Sequence, residues 1–459
     1  VSATYTINGT IGTLSFSPAA GTYSSAQTVS ITCSTSNVSI YYTTDGTTPT
    51  TSSNLYSTPL TISNDTTLKA RAFKNGWTSS DVATASYVIS YTLYVNPAST
   101  GGTYNGLSWT TAYHTITDAL NVACDGDTIW VATGTYNERL TAKSGVAMYG
   151  GFAGTETTLE SRDHRYSVVQ VNGSNTGVVL TIPQNAASDT IIDGFKISGG
   201  GTSSTGGGIL INANAEPVIT NCYISGNTAT AGGGIYVDTA APVIANNMII
   251  SNSATSGSAI YLKSSPAVIT NNTIVVNTGS TYGSVYIDSG SAPVIANNII
   301  YGNTLGILSA SGTPTLRNNC VYNNTNYNYS GLSAGTNDIS TDPLFVDSSN
   351  LDYHLNTGSP CINTGSDTDM HTSIDWDKQV RKNGSAVDMG VDEAYSVETP
   401  SISANGGTFV APKSVEITCA TSGATIRYTT DGTDPTTSSD EYTEALSLES
   451  SCTVKARAF

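Results

Sequence analysis

The feature that most constrains this chain is a short repeat in its middle. Five related segments recur about every 25 residues between positions 216 and 324, namely EPVITNCYISGN, APVIANNMIISN, AVITNNTIVVN, APVIANNIIYGN and TPTLRNNCVYNN. A unit of this length with only short strands cannot bury an apolar face alone, whereas stacked copies bury a continuous core. The period therefore predicts a parallel β-helix with one coil per repeat, in which successive coils lie about 4.8 Å apart.

Stacked coils predict columns of like side chains, and three columns fall in register. The first consists of Asn221, Asn246, Asn271, Asn297 and Asn318, and the second of Asn227, Asn252, Asn277, Asn303 and Asn324. The third column is apolar and consists of Ile219, Ile244, Ile269, Ile295 and Leu316. Aligned amides can hydrogen-bond along the stack and hold its corners, so we expect the asparagines to be structural and the apolar column to fill the interior.

The two ends of the chain carry a second, longer repeat. Residues 29–73 and 415–459 agree without a gap at about 26 of 45 positions. Short alternating runs broken by Asp-Gly and Pro turns predict a small antiparallel sandwich at each end. The segments YTTDGTTPT and KARAF resemble the chitobiase/β-hexosaminidase C-terminal-like domain, an immunoglobulin-like accessory module. This resemblance implies a spacer or stalk and no catalysis.

The regions on either side of the central repeat carry a resemblance of their own. Residues 94–136, 145–163, 342–365 and 387–395 are similar to the right-handed parallel β-helix repeat family of secreted bacterial proteins, part of the pectate-lyase-like superfold. The resemblance implies a right-handed coil and a location outside the cell or on a bacterial cell surface.

The predicted fold is all-β, a central right-handed parallel β-helix with a small antiparallel β-sandwich at each end. We expect a possible donor strand at 1–8, a sandwich at 9–90, a β-helix with its caps at 91–396, and a second sandwich lacking its last strand at 397–459. Helical spacing of apolar residues within 112–124 predicts an N-terminal capping helix. The segment 342–392 is expected to cover the last coil.

Charge and cysteine content exclude several classes of function. The net charge is −17, which disfavours binding to nucleic acid. The sequence also contains no apolar stretch long enough to span a membrane. Seven cysteines without a CxxC pair, and only four histidines, make a zinc site improbable. Cys419 with Cys452, and Cys320 with Cys361, are the pairs to test for disulfides, although buried free thiols explain them equally well.

One set of ionisable residues could carry chemistry. Asn212, Asp238, Lys263 and Asp288 follow the second strand of four successive coils, which would place Lys263 between two carboxylates. A polysaccharide lyase needs such a base near such acids. The favoured interpretation is an exposed column of alternating charge, which avoids stacking like charges.

Three further groups have structural interpretations that are favoured over functional ones. A cluster near the N-terminal cap, expected to be a solvated loop, consists of Arg139, Arg162, Asp163, His164 and Arg165. An acidic loop with oxygen ligands suited to calcium, but without EF-hand spacing, contains Asp367, Asp369, Asp375, Asp377 and Asp388. Tyrosines that could stack on a sugar, but more often cover a sheet, are Tyr236, Tyr261 and Tyr286.

The chain ends suggest assembly. The last module lacks a counterpart of the strand around Tyr87 and Ile89, and the start of the chain resembles that strand. The predicted donor residues are Val1, Ala3, Tyr5 and Ile7, and the predicted acceptor residues are Val415, Ile417, Tyr428, Val454 and Phe459. A donated strand would join molecules head to tail in an open array. The alternative is that the chain is a stretch of a longer tandem polypeptide.

These observations predict a non-enzymatic extracellular structural protein, the subunit of a surface fibre or stalk that forms a homopolymer. The alternatives are a secreted polysaccharide lyase or hydrolase and an adhesin that binds glycans without cleaving them. No cofactor is expected, calcium being the one candidate.

Overall fold

A computed structural model describes residues 8–458 apart from residues 24, 203, 280, 395, 396, 398, 405, 420, 422, 423 and 437. The described residues are mostly strand and turn, with one α-helix among them. The chain divides into two compact units after Glu393. The predicted fold class, an all-β chain with a central right-handed parallel β-helix and small antiparallel sheets at its ends, is confirmed.

The N-terminal module is a sandwich of two small sheets. One sheet has three strands, Leu14–Ser17, Gln27–Cys33 and Leu60–Ile62. The other has five strands in the spatial order Gly21–Tyr23, Ala83–Ile89, Thr66–Phe73, Ser39–Thr43 and Asn54–Leu55. Alternation along the strands buries every second residue, so that Val29, Leu68, Ala70 and Tyr87 share one core.

The solenoid is built from three parallel sheets that run along its axis. The first sheet contains Thr92–Val95, Thr128–Ala132, Ala147–Phe152, Ile191–Asp193, Val218–Thr220, Val243–Ala245, Val268–Thr270, Val294–Ala296 and Thr315–Arg317. The second contains Gly134–Tyr136, Val169–Asn172, Phe195–Ser198, Tyr223–Ser225, Met248–Ile250, Thr273–Val275, Ile299–Tyr301 and Cys320–Tyr322. The third contains Leu140–Thr141, Leu180–Ile182, Ile209–Ile211, Ile235–Asp238, Ile260–Lys263, Val285–Ile287, Ile307–Ser309 and Tyr329–Ser330. Three short strands form a parallel flank, namely Thr228–Ala231, Ser253–Ser256 and Thr278–Gly279.

The coils stack with like residues in register. Ile219 pairs with Ile244, Ile244 with Ile269, Ile269 with Ile295, and Ile295 with Leu316. The four isoleucines are fully buried. One apolar column therefore runs through the interior of the solenoid, and each coil supplies one side chain to it.

A helix covers the first coil, but it is shorter than the sequence predicts. The α-helix spans Ile116–Val122 and follows a 3-10 turn at Trp109–Thr111. The Thr115 side chain accepts a hydrogen bond from the Asp118 N–H and so fixes the start of the helix. Ala123 has extended backbone angles, which end the helix before the predicted limit.

Residues 342–393, which we call the C-terminal cap, do more than cover the last coil. The cap contains the hairpin Phe345–Asp347 with Asp352–Leu355 and two short 3-10 turns, Ser348–Asn350 and Asp367–Asp369. A further 3-10 turn, Leu159–Ser161, lies in an early coil.

The cap runs back along the side of the coils. Near its middle, the Asp369 carboxylate accepts from Arg317 Nε at 2.6 Å in the last coil. The Lys378 ammonium reaches the carbonyl of Arg162 at 2.5 Å, close to an early coil. The prediction of an end cover was therefore incomplete, because the cap also binds the flank of the solenoid.

The C-terminal module, considered by itself, contains the same strand pattern in shorter form. Its antiparallel pairs are Ser401–Ile402 with Ile417–Thr418, and Lys413–Val415 with Leu446–Leu448. Its largest described sheet has three strands in the order Asp440–Glu441, Ile426–Thr429 and Lys455–Ala458.

Candidate functional site

The predicted charge column forms an exposed ion pair. Asp238 and Lys263 lie side by side in the third sheet, with Oδ1 and Nζ 3.0 Å apart. Asp288 accepts a hydrogen bond from the Tyr261 hydroxyl at 2.8 Å, and the Asn212 amide donates to a main-chain carbonyl. The hydrogen bond to Asp238 raises the pKa of Lys263 above its ordinary value. Because a general base must be deprotonated, this environment does not favour Lys263 as a base.

The three tyrosines of the third sheet stack on one another. The rings of Tyr236 and Tyr261 have centroids 4.9 Å apart, and those of Tyr261 and Tyr286 are 4.8 Å apart. These distances match the coil spacing. Tyr236 is only 7% exposed, so its face is already covered by protein. The stack covers the sheet, and Tyr261 and Tyr286 remain partly exposed.

The second asparagine column is a continuous hydrogen-bonded ladder. The amide Nδ2 of Asn227 donates to Oδ1 of Asn252 at 2.9 Å, and Asn252 donates to Asn277 at 3.1 Å in the same way. The pattern continues through Asn303 to Asn324 at 3.0 Å per step. Each Nδ2 also donates to a carbonyl one coil earlier. The ladder therefore satisfies buried backbone groups at one corner of the solenoid.

The first asparagine column serves a different purpose. All five members have φ between 51° and 57°, the left-handed conformation that asparagine tolerates better than most residues. Within this column Asn246 donates to Asn221 at 2.7 Å, whereas Asn271 and Asn318 donate to carbonyls of the C-terminal cap. This column makes the corner turns and anchors the cap.

Sequence reasoning missed a third asparagine column. The backbone N–H and Nδ2 of Asn247 donate to Asn272 Oδ1 at 2.9 and 3.0 Å, and Asn272 donates to Asn298 in the same manner. The column continues to Asn319, and in the first repeat Cys222 takes the equivalent place. The sequence signal for this column is the repeated Asn-Asn dipeptide, whose second member forms it.

The acidic residues of the predicted loop have different partners. Asp367 pairs with Lys382 and Asp369 with Arg317, while Asp375 accepts from the backbone N–H of Gln379. Among the described residues, one group of three could hold a metal ion: His354, Asp377 and Asp392. Both ring nitrogens of its histidine already contact carboxylates. Asp367, Asp369 and Asp375 therefore make separate contacts, and calcium binding stays a prediction.

A buried guanidinium occupies the centre of the cap. Arg381 is fully buried and donates to the carbonyls of Asp388 at 3.2 Å and Val391 at 2.7 Å. Burial lowers the pKa of Arg381 and raises the pKa of Asp392 to about 6 and of Glu393 to about 7. Much of the acidic loop therefore surrounds a positive charge supplied by the protein itself.

The arginine and histidine cluster near residue 164 lines a cavity of about 430 Å³ between the second sheet and the cap. Its lining includes His164, Arg165, Lys196, His354 and Asp377. Arg165 Nη1 donates to Asp377 Oδ1 at 3.0 Å, and His354 Nε2 lies 2.7 Å from the other oxygen. The Asp377 contact raises the pKa of His354 to about 10, so this imidazole is charged at neutral pH. The prediction of a solvated loop was wrong for His164, which is 9% exposed.

Two other members of that cluster have separate contacts. Arg162 is buried and pairs with Asp193, with Nη2 and Oδ2 2.7 Å apart. Arg139 lies at the surface and donates to the Thr176 carbonyl at 3.3 Å.

The predicted disulfide partners meet in one case. Cys320 and Cys361 are both fully buried free thiols that lie close together, and Cys320 Sγ donates to the Thr341 carbonyl at 3.2 Å. The neighbouring Cys320 thiol and burial raise the pKa of Cys361. In the C-terminal module, Cys452 is an exposed free thiol.

The two end modules differ in one sheet. In the N-terminal module Ala83–Ile89 lies between Gly21–Tyr23, to which it is parallel, and Thr66–Phe73, to which it is antiparallel. By sequence alignment, the flanking strands correspond to residues 407–409 and 452–459. The described part of the C-terminal sheet ends at Lys455–Ala458, and no described strand lies where Ala83–Ile89 would be. We call residues 407–409 and 452–458 the acceptor edge.

Exposure along the acceptor edge differs from that in the N-terminal module. Leu68 and Ala70 are fully buried, whereas their counterparts Val454 and Ala456 are only partly buried. Phe409, the counterpart of a residue in Gly21–Tyr23, is 48% exposed.

Most predicted acceptor residues are described, and the donor residues are not. Val415 and Ile417 are buried in the core of the C-terminal module, and Tyr428 lies in its three-stranded sheet. Phe459 and the donor residues Val1, Ala3, Tyr5 and Ile7 lie outside the described residues.

These features define a parallel β-helix flanked in the sequence by two small modules of antiparallel sheets. Residues 144–321 and 208–360 match the family described as right handed beta helix region, and residues 18–84 and 404–459 match the chitobiase/beta-hexosaminidase C-terminal domain. Both predicted resemblances are confirmed.

Solved structures to which this chain is similar include a pectate lyase and a pectin methylesterase. Pectate lyase Pel9A is 15% identical over 66% of this chain and 96% of its own, with a TM-score of 0.34. The deglycosylated pectin methylesterase from Aspergillus niger is 16% identical over 53% of this chain and 91% of its own, with a TM-score of 0.28. No curated protein matches the sequence significantly. None of the described helices is long and apolar enough to cross a membrane.

Proposed function

We propose that this protein is an extracellular structural subunit that assembles head to tail through strand addition at the C-terminal module. The acceptor edge carries the proposal: Val454 and Ala456 are only partly buried there, whereas their counterparts Leu68 and Ala70 are fully buried beside Ala83–Ile89. A strand inserted there would pair on both sides, as Ala83–Ile89 does. Such β-strand addition gains backbone hydrogen bonds and buries apolar side chains.

The N-terminal segment has the residue pattern that this position requires. Ala3, Tyr5 and Ile7 align with Ala85, Tyr87 and Ile89, whose side chains face the core. Because the donor and the acceptor edge belong to different parts of the chain, the contact would be heterologous and would propagate into a filament. The surface location is part of this proposal.

The pairing register of the N-terminal module supplies a sharp test. Thr66 pairs with Tyr87 there, so the equivalent intermolecular register places Tyr5 opposite Cys452. A Tyr5→Cys variant should therefore form disulfide-linked oligomers with the native Cys452 under mild oxidation. Non-reducing electrophoresis should show a ladder of chain multiples, and electron microscopy of the unmodified chain should show filaments.

Matched variants separate this register from unspecific oxidation. Thr4→Cys moves the thiol to the other face of the strand and should crosslink poorly. Tyr5→Cys combined with Cys452→Ser should give no ladder, and deletion of residues 1–8 should abolish filaments. Equal crosslinking by Thr4→Cys and Tyr5→Cys, or a crosslink confined to single chains, would contradict the proposal.

A polysaccharide lyase or hydrolase is the alternative, together with a glycan-binding adhesin. A lyase would release unsaturated ends from uronate polymers, which absorb in the ultraviolet. Activity that is lost in Lys263→Ala would favour the enzyme, although the protonated state of Lys263 argues against this base. Binding on a glycan array without turnover would favour the adhesin.

A further inference from the structure

The tyrosine stack of the third sheet extends to a ring at the surface. Tyr236, Tyr261 and Tyr286 follow one another with centroids 4.9 and 4.8 Å apart. A fourth ring, Tyr282, lies 5.4 Å from Tyr286 and is 42% exposed. Separations of this size are those of aromatic rings in contact. The four rings therefore form a continuous path from a side chain that solvent reaches to one that protein covers.

One hydroxyl in the stack has a partner that can take its proton. The Tyr261 hydroxyl donates to Asp288 Oδ2 at 2.8 Å, and Asp288 Oδ1 accepts from the Ser289 N–H, also at 2.8 Å. Lys263, the nearby cation of the charge column, pairs with Asp238 instead. Burial and the contact with Asp288 raise the pKa of Tyr261, so its phenol keeps the proton at neutral pH. A phenol that loses an electron becomes strongly acidic, and a carboxylate already in hydrogen-bond contact is placed to accept that proton.

The register of the coils holds two of these rings against each other. Tyr261 and Tyr286 are direct partners in adjacent parallel strands. Because identical side chains in such a stack lie above one another, like atoms of the two rings are brought together. The arrangement therefore supplies both a proton acceptor and a second phenol for any radical formed at Tyr261.

We propose that Tyr261 and Tyr286 form a modification site at which one-electron oxidation joins two successive coils through a dityrosine bond. A one-electron oxidant removes one electron from each ring; the Tyr261 proton passes to Asp288, and that of the partly exposed Tyr286 passes to water. The two phenoxyl radicals couple by a carbon–carbon bond between positions ortho to the hydroxyls. The hydrogen on each of these carbons then moves to the oxygen, so both phenols form again. The balance is a loss of two electrons and two protons, with two equivalents of oxidant reduced.

This site goes beyond the assembly proposal and does not depend on it. All of its residues lie within the unit that precedes the C-terminal module. A failure of strand addition would leave the oxidation chemistry unchanged, and the reverse also holds.

The test exposes the full chain to a limiting amount of photogenerated tris(bipyridine)ruthenium(III), a one-electron oxidant. After unfolding, trypsin cleaves at Lys196, Lys263 and Arg317 and so separates the two rings onto peptides 197–263 and 264–317. We expect mass spectrometry to find these two peptides joined, with loss of two hydrogen atoms, and the fluorescence of dityrosine to increase in parallel.

A second stacked pair in the same chain is an internal control. Tyr301 and Tyr322 are partners in adjacent strands of the second sheet, with centroids 6.4 Å apart, and both are partly exposed. Neither hydroxyl contacts a carboxylate of the described chain. A bond between them would join peptides 264–317 and 318–378. We expect this product to be at least about tenfold less abundant, since a positioned base accelerates proton transfer by about 10²–10⁴.

Three conservative variants separate the roles of the residues. Tyr261→Phe keeps the ring and should abolish the joined product. Asp288→Asn removes the proton acceptor and should lower the initial rate at least about tenfold. Asp238→Asn is the matched control, since it removes the same charge from the same column at a residue that contacts Lys263, and should leave the rate unchanged. Equal yields at the two tyrosine pairs, a bond confined to peptide 264–317, no bond at all, or equal rates in Asp288→Asn and Asp238→Asn would overturn the proposal.

Discussion

Replacing one buried asparagine should destabilise the solenoid far more than its size suggests. The Asn272 side chain accepts hydrogen bonds from the N–H and Nδ2 of Asn247, and it donates to the Ile244 carbonyl at 2.8 Å and to Asn298 Oδ1 at 3.0 Å. Asn272→Ala removes all of these contacts within a fully buried corner.

The expected loss of stability depends on which groups retain another hydrogen-bond partner in the Asn272→Ala variant. Asn247 Nδ2 still donates to two carbonyls, but the Asn247 N–H has no other acceptor among the described residues. Leaving one buried donor unsatisfied costs about 1–3 kcal/mol, and each other hydrogen bond lost costs about 0.5–1.5 kcal/mol. With one unsatisfied donor and three other hydrogen bonds lost, we therefore expect the free energy of unfolding to fall by at least about 2.5 kcal/mol.

Urea unfolding would measure the overall loss, and hydrogen exchange would locate it at the Asn247 amide. Thr278→Ala is the matched control, because its exposed side chain lies on the same coil. It should change the free energy of unfolding by less than about 0.5 kcal/mol. A loss in Asn272→Ala no larger than in this control, or an Asn247 amide that exchanges at its original rate, would show that the ladder contributes little.

Three further predictions concern other parts of the chain. The pKa of His354 is raised to about 10, so the stability that its charged form contributes is fully present below its ordinary pKa of about 6.5 and is lost as the pH rises towards 10. Thermal unfolding between pH 6 and 10 should show this loss, and the His354→Gln variant should show a weaker dependence of stability on pH. Cys222→Asn should extend the third asparagine column by one step and raise the free energy of unfolding by about 0.5–1.5 kcal/mol. A free energy of unfolding below that of the unmodified chain would show that the first repeat cannot accommodate an amide at this position. Cys320 and Cys361 should resist alkylation in the folded protein, because both thiols are fully buried and a raised pKa keeps Cys361 from forming the reactive thiolate; mass spectrometry should find both alkylated only after unfolding, and modification of either thiol in the folded chain would contradict this.

The solenoid could be predicted from the sequence because a short repeat is enough to produce it. A period of about 25 residues fixes which side chains stack, so the apolar column through Ile244 could be read directly from the sequence. The second asparagine of each Asn-Asn dipeptide forms the third column. The sequence alone does not indicate whether this side chain points into the solenoid or away from it.

The cavity could not be predicted in the same way. It joins His164 and Lys196 in the early coils to Trp376 and Asp377 in the cap, which are far apart in sequence. Nothing in the repeat fixes the path of the cap, because that path depends on contacts such as Lys378 with the Arg162 carbonyl. The burial of Arg381 among the acidic residues of the cap is likewise a tertiary effect that the sequence does not indicate.

The amide columns also have a direction. In the third column every Nδ2 from Asn247 to Asn298 points towards the following coil, so the small dipoles of the side chains add along the axis. The last amide, Asn319, donates its N–H and its Nδ2 to the carboxylate of Asp338, at 2.8 and 3.0 Å. A negative group there meets the positive end of the accumulated dipole, much as an acidic residue does at the start of an α-helix. The column thus ends at the Asp338 carboxylate, which accepts hydrogen bonds but donates none to a further coil.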